Sequence, residues 1–318
     1  MSDRACRRAE GRRQILKAEN IQRVLIIGGG TMGRQIALHF AMHGCNVVIY
    51  DIQEEFLTKA LSGIQKIAGS YVRLKRITQE AAETAIGRIK TTTIPEEAAA
   101  DIDLVSEAVP EDPVLKGKVF SLFHSLCPPR TIFTTNTSTL LPSMFAEVTG
   151  RPEKFLALHF HDLRTSAVVD IMPHSGTNEE TIHVVQGFTK RMELIDILLR
   201  KESSGYVFNA MFAAFLGSAQ TLAANDIASI EDIDRAWMGV MNMPIGPFGL
   251  MDSVGIDTAW MVTAYWAKQT GDAQSQKNAD FLKQFVDRGE VGQKTGKGFY
   301  RYPGPLFRQP GFIAGHTI

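Results

Sequence analysis

The chain is poor in cysteine, has no long apolar segment and carries no net charge. Its 318 residues include 3 cysteines, Cys6, Cys45 and Cys127, and none of them forms a Cys-x-x-Cys pair. An odd number of widely spaced cysteines argues against a disulfide scaffold and a structural zinc site, and favours a reducing compartment. No apolar run approaches the ~18 residues of a membrane span, and the N-terminus lacks a secretory signal pattern. We therefore expect a cytoplasmic protein without a membrane partner.

The charges are balanced, with 34 basic and 34 acidic residues. Such a chain has no whole-protein attraction to polyanions, so we expect no nucleic-acid partner. Basic residues are concentrated in the first 20 positions, which we interpret as a solvated N-terminal arm. A transit peptide is the alternative, although acidic residues within the arm disfavour it.

Residues 23–27 have the composition and length of a strand, and a glycine run at 28–30 follows directly. From Thr31 the apolar residues recur at helical spacing, and residues 47–50 form the next β-branched run, which ends at Asp51. Strand, glycine turn, helix and strand in this order, within about 30 residues, predict a βαβ unit.

Short apolar runs predict five further strands, at 89–92, 102–105, 131–135, 155–160 and 167–171. The segments between them are helical in pattern, including one long stretch over 54–87 and a helix from Lys116 to Leu126. Alternating strands and helices predict an α/β fold, in which a largely parallel, doubly wound sheet carries helices on both faces.

Strand-like runs disappear after about residue 200. The remaining chain has helix-forming stretches at 206–224, 253–270 and 278–288, and a capping box, Ser229-x-x-Asp232, marks another helix start. Prolines and glycines from Pro244 to Gly249 interrupt this pattern. We therefore predict three segments: the arm over 1–20, the α/β domain over 21–200 and an all-helical C-terminal domain over 201–318.

The glycine run fits the motif Gly28-x-Gly30-x-x-Gly33, with the helix start at Thr31 and Met32. The first glycine permits the tight turn, the second lets the backbone approach a pyrophosphate, and the third lets the helix pack closely on the strand. Asp51 ends the next strand, where a carboxylate accepts hydrogen bonds from ribose hydroxyls and repels a 2′-phosphate. The pattern predicts a Rossmann-type domain that binds NAD rather than NADP. A structural turn without a nucleotide, with Asp51 as a solvated residue, is the alternative.

Polar residues follow the later strands, at the sheet edge where open α/β sheets bind ligands. His159 lies in the run 155–160, and a histidine suits proton transfer because its ordinary pKa is near 6.5. Asp170, in the neighbouring run, is a candidate carboxylate partner that fixes the tautomer and stabilises the imidazolium. The alternatives are a satisfied core histidine and a metal site with His161, but the spacing matches no standard zinc pattern. We expect no metal.

Asn136 and Ser138 follow the strand at 131–135, and Asn209 lies in an apolar helical segment. Ser138 and Asn209 are candidates for hydrogen bonds to a substrate oxygen. Ser138 can instead cap a helix, and Asn209 can instead bond to neighbouring backbone. The residues alone leave these alternatives open.

Seven motifs, in order along residues 21–303, together resemble the L-3-hydroxyacyl-CoA dehydrogenases. Each motif is modest, but the ordered set is specific. They are Gly-Gly-Gly-Thr-Met-Gly-Arg-Gln-Ile-Ala at 28–37, Glu-Ala-Val-Pro-Glu at 107–111, Asn-Thr-Ser-Thr-Leu at 136–140, His-Phe at 159–160, Ser-Gly-Tyr-Val-Phe-Asn at 204–209, Pro-Ile-Gly-Pro-Phe at 244–248 and Lys-Thr-Gly-Lys-Gly-Phe-Tyr-Arg-Tyr at 294–302.

The resemblance implies NAD-dependent oxidation of (S)-3-hydroxyacyl-CoA to 3-oxoacyl-CoA, or the reverse, as in fatty acid β-oxidation, with a short-chain substrate such as 3-hydroxybutyryl-CoA. It implies a homodimer formed through the helical domain and a site between the two domains. It places the general base on His159, with Asp170 as its charge partner, and the substrate-oxygen contacts on Ser138 and Asn209. At the cofactor it places the glycine motif and Asp51, together with Glu111, Lys116 and Asn136.

The segment after the histidine departs from the family pattern. The family usually has Phe-Phe-Asn-Pro and then a glutamate, whereas this chain has Phe-His-Asp-Leu at 160–163, and its carboxylate, Asp170, comes one residue early. A shorter side chain on a shorter loop can displace the carboxylate, and an error of about 1 Å can lower a rate about 10²-fold. Two alternatives therefore remain: a dehydrogenase of a sugar acid or carrier-bound hydroxyacyl group, and an NAD-binding relative without catalytic activity.

Overall fold

The computed structural model describes residues 16–315, and the chain divides between Val207 and Phe208 into two compact units. The sequence predicts its domain boundary a few residues earlier, between 200 and 201. The predicted basic arm lies outside the described residues except for its last positions, where Ala18–Asn20 form a 3-10 helix.

The first unit is built on one sheet that has eight strands within residues 16–207, in the order β3-β2-β1-β4-β5-β6-β7-β8. Neighbouring strands are parallel except β6 and β7, which are antiparallel. The strands are β1 (Arg23–Ile27), β2 (Asn46–Tyr50), β3 (Ile89–Thr92), β4 (Leu104–Glu107), β5 (Ile132–Thr135), β6 (Phe155–Phe160), β7 (Val168–Pro173) and β8 (Ile195–Leu198). The strand order reverses at β1 and β4, and the carboxyl ends at such a reversal form the crevice in which these sheets bind ligands.

The central strand β1 shows that both faces of the sheet are covered. Val24 and Ile26 belong to one apolar core and Leu25 and Ile27 to another, and all four are buried. This continuous apolar run is typical of a parallel strand between two helical layers. The helices of this unit are α1 (Thr31–Met42), α2 (Glu54–Arg73), α3 (Gln79–Gly87), α4 (Pro95–Ala98), α5 (Pro113–Leu126) and α6 (Glu179–Arg191). The predicted α/β fold is confirmed, with β8 as a strand that the pattern does not predict.

The predicted helical stretch over 54–87 consists of two helices, because α2 ends at Arg73 and α3 begins at Gln79. Lys75 between them has a φ of 56°, a left-handed conformation that ends a helix. Thr78 then caps α3, and its side chain accepts a hydrogen bond from the backbone N–H of Ala81 at 3.1 Å.

The second unit is helical in its described part, residues 208–315, and contains two isolated β-bridges. Its helices are α7 (Phe208–Ala224), α8 (Ile230–Met241), α9 (Pro247–Val254), α10 (Ile256–Thr270) and α11 (Ala273–Asp287). The helix start predicted at Ser229 is confirmed, because Ser229 Oγ caps α8 and accepts a hydrogen bond from Asp232 N at 3.1 Å. The predicted break at 244–249 is partly wrong: α9 begins within it, because proline is well tolerated in the first turn of a helix.

No helix in residues 16–315 combines the length and the low polarity that crossing a bilayer requires. Cys45 and Cys127 are buried free thiols, and Cys6 lies outside the described residues. Burial raises the pKa of the Cys127 thiol to about 12, so this thiol stays protonated and unreactive at neutral pH.

Candidate active site

The glycine turn after β1 is tight on one side and open on the other. A Cβ on Gly28, whose φ is 102°, would lie 2.8 Å from the carbonyl oxygen of Ala108, and a Cβ on Gly33 would lie 1.9 Å from that of Gly28. A Cβ on Gly30 would meet no atom within 4 Å. α1 begins at this open point without a side-chain cap, so its first N–H groups are available to an anion.

Asp51 follows β2 and lies beside this turn. Its Oδ2 accepts a hydrogen bond from the backbone N–H of Gly29 at 2.8 Å, and its Oδ1 accepts one from Ile52 at 2.8 Å. Both oxygens keep further acceptor capacity for ribose hydroxyls. Thr31 and Met32 form the first turn of α1. The turn, the uncapped helix start and the fixed carboxylate fit an NAD molecule, whose individual contacts with these residues stay predictions.

His159 and Asp170 are directly opposite each other in the antiparallel pair of β6 and β7. His159 Nδ1 lies 3.0 Å from Asp170 Oδ2, and both side chains are buried. An ionised carboxylate only accepts hydrogen bonds, so the hydrogen of the neutral ring is on Nδ1 and the lone pair is on Nε2. Ser138 Oγ lies 3.3 Å from this Nε2. The imidazole is therefore held in the tautomer that a general base requires.

Asp170 stays ionised although it is buried. Burial raises its pKa, but hydrogen bonds from His159 and His161 outweigh that effect and hold the pKa below its usual range. Its Oδ1 is buried and has no hydrogen-bond partner among residues 16–315. The shorter aspartate thus reaches the imidazole despite the shortened loop.

His161 is a second imidazole on the same carboxylate. Its Nε2 lies 3.0 Å from Asp170 Oδ2, and its ring centroid is 4.8 Å from that of His159. Within the described part of the chain, these three residues form a cluster of potential metal ligands. Both ring nitrogens lie at hydrogen-bond distance from one oxygen, an arrangement typical of a hydrogen-bonded network rather than of a chelate.

Tyr206 supports the ring of His159. The two rings are stacked, with centroids 4.5 Å apart and an interplanar angle of 17°. The hydroxyl of Tyr206 donates a hydrogen bond to the carbonyl oxygen of Thr137 at 2.6 Å. The backbone φ of Tyr206 is 54°, which is unusual for an aromatic residue and persists only where the surrounding structure fixes it. Tyr206 belongs to the motif at 204–209, but sequence reasoning assigned it no role, because stacking and left-handed backbone leave no local signature.

Glu111 organises the loop that carries Ser138. Its Oε1 accepts hydrogen bonds from the Thr137 hydroxyl, from Ser138 N at 3.1 Å and from Thr139 N at 3.2 Å. Burial raises the pKa of Glu111, but the bond from Thr137 and the charge of Lys116 outweigh it, so the pKa is lowered. Glu111 therefore fixes the loop beside His159, and its predicted contact with the cofactor stays a prediction.

Lys116 joins two glutamates near the switch point of the sheet. Its Nζ is buried, 2.7 Å from Glu107 Oε1 and 3.3 Å from Glu111 Oε2. Burial raises the pKa of Glu107 and the charge of Lys116 opposes the rise. Glu107 also accepts a hydrogen bond from the Thr135 hydroxyl at 2.6 Å. The sequence pattern gives Glu107 no role beyond its place in the motif at 107–111, because its buried partner comes from the next helix.

The two predicted asparagines lie in different units. Asn136 Oδ1 accepts a hydrogen bond from the backbone N–H of Phe160 at 2.8 Å, which connects the end of β5 to the end of β6 beside His159. Asn209 lies in the first turn of α7, in the second unit. Cofactor binding by Asn136 and substrate binding by Asn209 stay predictions.

Two family models match consecutive parts of the chain. The NAD binding domain of 3-hydroxyacyl-CoA dehydrogenase matches residues 23–203, and the C-terminal domain of 3-hydroxyacyl-CoA dehydrogenase matches residues 205–302. The first match covers the glycine turn and the pair of His159 and Asp170, and the second covers Asn209.

Individual proteins agree with the family models. The human mitochondrial hydroxyacyl-coenzyme A dehydrogenase is 30% identical over 288 residues, which cover 89% of this chain and 91% of the human protein. Among solved structures, a diketoreductase described with dicarbonyl compounds is 36% identical with a TM-score of 0.83, and the (S)-3-hydroxybutyryl-CoA dehydrogenase of Ralstonia eutropha is 30% identical with a TM-score of 0.80. Both structural alignments cover 89% of this chain and 99% of the solved chain.

Proposed function

The chain belongs to the 3-hydroxyacyl-CoA dehydrogenase family, and we propose that it interconverts (S)-3-hydroxyacyl-CoA and 3-oxoacyl-CoA, with short-chain substrates such as 3-hydroxybutyryl-CoA. The observation that carries this proposal is the buried imidazole of His159 between a carboxylate and a serine hydroxyl. A base of this kind, in the same unit as a glycine turn that fits a dinucleotide, is what the oxidation of a secondary alcohol needs.

NAD supplies the hydride acceptor when it is bound at the glycine turn. In the proposed oxidation, His159 Nε2 takes the proton of the 3-hydroxyl group. Asp170 keeps the ring oriented through Nδ1 and stabilises the imidazolium that results. In the reduction, the same Nε2 returns the proton to the carbonyl oxygen.

Ser138 and Asn209 are the proposed contacts of the substrate oxygen. Ser138 already lies within hydrogen-bond distance of His159 Nε2, so an oxygen that approaches this nitrogen also meets the serine hydroxyl. Glu111 holds the backbone of Ser138 in place. Because the Ser138 hydroxyl is already fixed, it need not reorganise when negative charge develops on the substrate oxygen during the reaction.

The proposal is tested by His159→Ala. We expect turnover of acetoacetyl-CoA, followed through NADH absorbance, to fall about 10²–10⁴-fold, because general-base catalysis is lost. NADH binding, followed by fluorescence, should stay near the parent value. His183→Ala, at an exposed position on α6, is the matched control and should keep full turnover. Near-parent turnover in His159→Ala would remove this residue from the role.

The diketoreductase likeness favours one alternative, a substrate without CoA. A panel that compares acetoacetyl-CoA with free 3-oxo acids, hydroxy acids and dicarbonyl esters separates the two substrate classes. A catalytic efficiency highest for the CoA thioester supports the proposal. NADH binding without turnover of any of these compounds would instead identify a relative that has lost catalysis.

We also propose a homodimer formed through the second unit and a cytoplasmic location. Large apolar side chains are exposed on this unit, as on a surface that is covered by a partner: Met211, Val240, Met241, Met261, Tyr265 and Trp266. The free thiols at Cys45 and Cys127 suit a reducing compartment. Light scattering should give twice the chain mass, and a monomer at micromolar concentration would contradict the dimer.

A further inference from the structure

Both neighbours of Ser138 in the chain are held through their carbonyl oxygens. The hydroxyl of Tyr206 donates a hydrogen bond to the carbonyl oxygen of Thr137 at 2.6 Å, and the hydroxyl of Ser204 donates one to that of Thr139 at 2.9 Å. Ser138 itself is exposed, so its loop lacks the packing that fixes a buried segment. These two hydrogen bonds therefore restrict the position of the serine.

The two donors belong to a short segment, residues 202–206, that has a further contact with the same loop. Glu202 Oε1 accepts a hydrogen bond from the backbone N–H of Ser143 at 2.7 Å. The backbone N–H of Tyr206 donates to the carbonyl oxygen of Ser203 at 3.1 Å, which closes a turn within the segment. The segment therefore presents its side chains to the loop from a backbone that is itself fixed.

Glu111 does not replace these contacts. It accepts hydrogen bonds from the backbone N–H groups of Ser138 and Thr139, whereas residues 202–206 donate to carbonyl oxygens. The loop is thus held through both kinds of backbone group. Removal of either set leaves the loop with one set of bonds and more freedom to move.

Tyr206 contacts the proposed base as well as the loop. Its ring stacks on that of His159, with the centroids 4.5 Å apart. The ring is buried in an apolar cluster whose other buried members are Ala157, Met172 and Leu199. One side chain therefore touches both groups that are proposed to meet the substrate oxygen: the imidazole directly, and Ser138 through Thr137.

The spacing of these two groups is sensitive to small movements. Ser138 Oγ lies 3.3 Å from His159 Nε2, near the outer limit of a hydrogen bond. A substrate oxygen that bonds to both groups requires them at a fixed separation. A displacement of about 1 Å in such a site can lower a rate about 10²-fold.

We propose that Tyr206 and Ser204 are positioning residues, whose hydrogen bonds to the Ser138 loop, together with the stacking of Tyr206 on His159, set the spacing between Ser138 and His159. The inference rests on the proposed roles of Ser138 and His159 in the reaction. The order of the Ser138 loop, however, is a property of the ligand-free protein and can be measured without substrate or cofactor.

The first test is Tyr206→Leu, which removes the ring and the hydroxyl but keeps an apolar side chain in the cluster. We expect the rate of NADH oxidation by acetoacetyl-CoA in a single turnover, which reports the chemical step, to fall about 10²-fold. The Kd of NADH and the KM of acetoacetyl-CoA should stay near the parent values. Tyr206→Phe restores the stacked ring and should recover most of the lost rate. A parent-like rate in Tyr206→Leu, or a loss confined to KM, would overturn the proposal.

The second test keeps the ring and removes the hydroxyl groups. Ser204→Ala and Tyr206→Phe each leave one of the two hydrogen bonds to the loop, so each should lower the single-turnover rate less than about tenfold. The double variant leaves neither bond, and its loss should exceed the product of the two single losses, because each bond compensates for the other. A double loss no larger than that product would overturn the proposal.

Ser203→Ala is the matched control for this series, because it removes an exposed hydroxyl one residue away, and it should keep the parent rate. The double variant also decides the question should Tyr206→Leu not fold, as judged by circular dichroism. It keeps the buried ring and the apolar cluster around it, so a loss of rate there cannot result from a collapsed core.

The third measurement is hydrogen–deuterium exchange in the ligand-free protein. In the double variant, exchange over residues 136–141 should become faster, while the rest of the chain keeps its parent rates. Unchanged exchange over 136–141 would overturn the inference, even where the parent turns over hydroxyacyl-CoA. Faster exchange together with a parent that turns over no hydroxyacyl-CoA would contradict the proposed function and leave the positioning of the loop intact.

Discussion

Each unit of the chain buries an aspartate, and the two differ in their hydrogen-bond partners. Asp170, in the first unit, accepts from two imidazoles. Asp234, in the second unit, accepts from the backbone N–H groups of Phe248 and Gly249 at the start of α9, at 2.8 and 3.0 Å, and from the Tyr300 hydroxyl at 2.9 Å. Both side chains are at most 1% exposed.

The pKa values of these two carboxyl groups move in opposite directions. Burial raises both, but the imidazole bonds outweigh it at Asp170 and lower the pKa there. At Asp234 the burial dominates over three bonds from uncharged donors, and the pKa rises to about 6. Low solvent exposure alone therefore does not set the direction of the pKa shift. The hydrogen-bond donors also matter, because imidazoles can carry a positive charge that stabilises the carboxylate, whereas amide and hydroxyl donors cannot.

The two aspartates therefore have different roles: Asp170 is the partner of the proposed general base, and Asp234 is a structural carboxylate. The partners of Asp170 are the imidazoles of His159 and His161, a type of side chain that serves in proton transfer. The partners of Asp234 are fixed N–H and O–H donors that hold the start of α9 against the segment around Tyr300. Neighbouring Asp252 has the same type of partners, Phe299 N, Tyr300 N and the Tyr302 hydroxyl. The second unit thus uses buried carboxylates to fix its chain, and the first unit uses one to fix a base.

The strongest test of this contrast is Asp170→Asn. Asparagine has no negative charge to stabilise the imidazolium, and its N–H group, when it faces Nδ1, favours the tautomer with the hydrogen on Nε2. We expect kcat to fall about 10²–10⁴-fold, measured with acetoacetyl-CoA and NADH. A variant with near-parent kcat and a large loss of stability would show that Asp170 has a structural role like that of Asp234.

The second test uses the pH dependence of stability at Asp234. Its pKa in the folded chain, about 6, exceeds the usual 3.8 by about two units, which correspond to about 3 kcal/mol. A raised pKa gives a contribution that is complete below pH 3.8 and is lost as the pH rises through 6. Relative to Asp234→Asn, the free energy of unfolding should therefore fall by about 3 kcal/mol between pH 4 and pH 7, as measured by urea denaturation.

The same measurement on Asp170→Asn, extended below pH 4, should give the opposite sign. A lowered pKa gives a contribution that is present above the usual value and is lost as the pH falls through the folded value. Equal signs at Asp170 and Asp234 would contradict the assignment of different roles to their partners.

The smallest expected effect belongs to Tyr206→Phe. The variant keeps the ring that stacks on His159 and removes the hydroxyl that bonds to Thr137, so we expect a loss of about 1 kcal/mol in the free energy of unfolding. Because tenfold in rate corresponds to about 1.4 kcal/mol, kcat should stay within about tenfold of the parent. Tyr300→Phe, which removes the bond to Asp234, is the control in the second unit. A loss of kcat in Tyr300→Phe as large as that in Tyr206→Phe would remove the distinction between a unit that holds the base and a unit with structural carboxylates.

Local patterns predicted much of the fold. The βαβ unit is visible in sequence because its strand, glycine turn and helix start are adjacent along the chain. Elements that depend on one residue's conformation are not visible. The left-handed Lys75 divides the predicted helix over 54–87, and α9 starts at a proline that resembles a chain break. β8 is not predicted because it is short and its apolar run is interrupted by Asp196.

The site was predictable in its residue types but not in its geometry. The residue types at 138, 159 and 170 point to proton transfer, and the sequence could not say whether the aspartate would reach the imidazole. The antiparallel register of β6 and β7 decides that, and register depends on the whole sheet. The roles of His161 and Tyr206 likewise depend on contacts between segments that are distant in sequence.

The ladder between β6 and β7 also has a consequence for how this enzyme family can diverge. His159 and Asp170 face each other because their strands are paired, whereas residues 164–167 lie in the connection between those strands. Surface connections tolerate changes in length and composition far better than paired strands do. Substitutions in this hairpin connection can therefore accumulate while the imidazole of His159 and the carboxylate of Asp170 keep their spacing, so that the surface of the hairpin and the proton chemistry can be inherited separately.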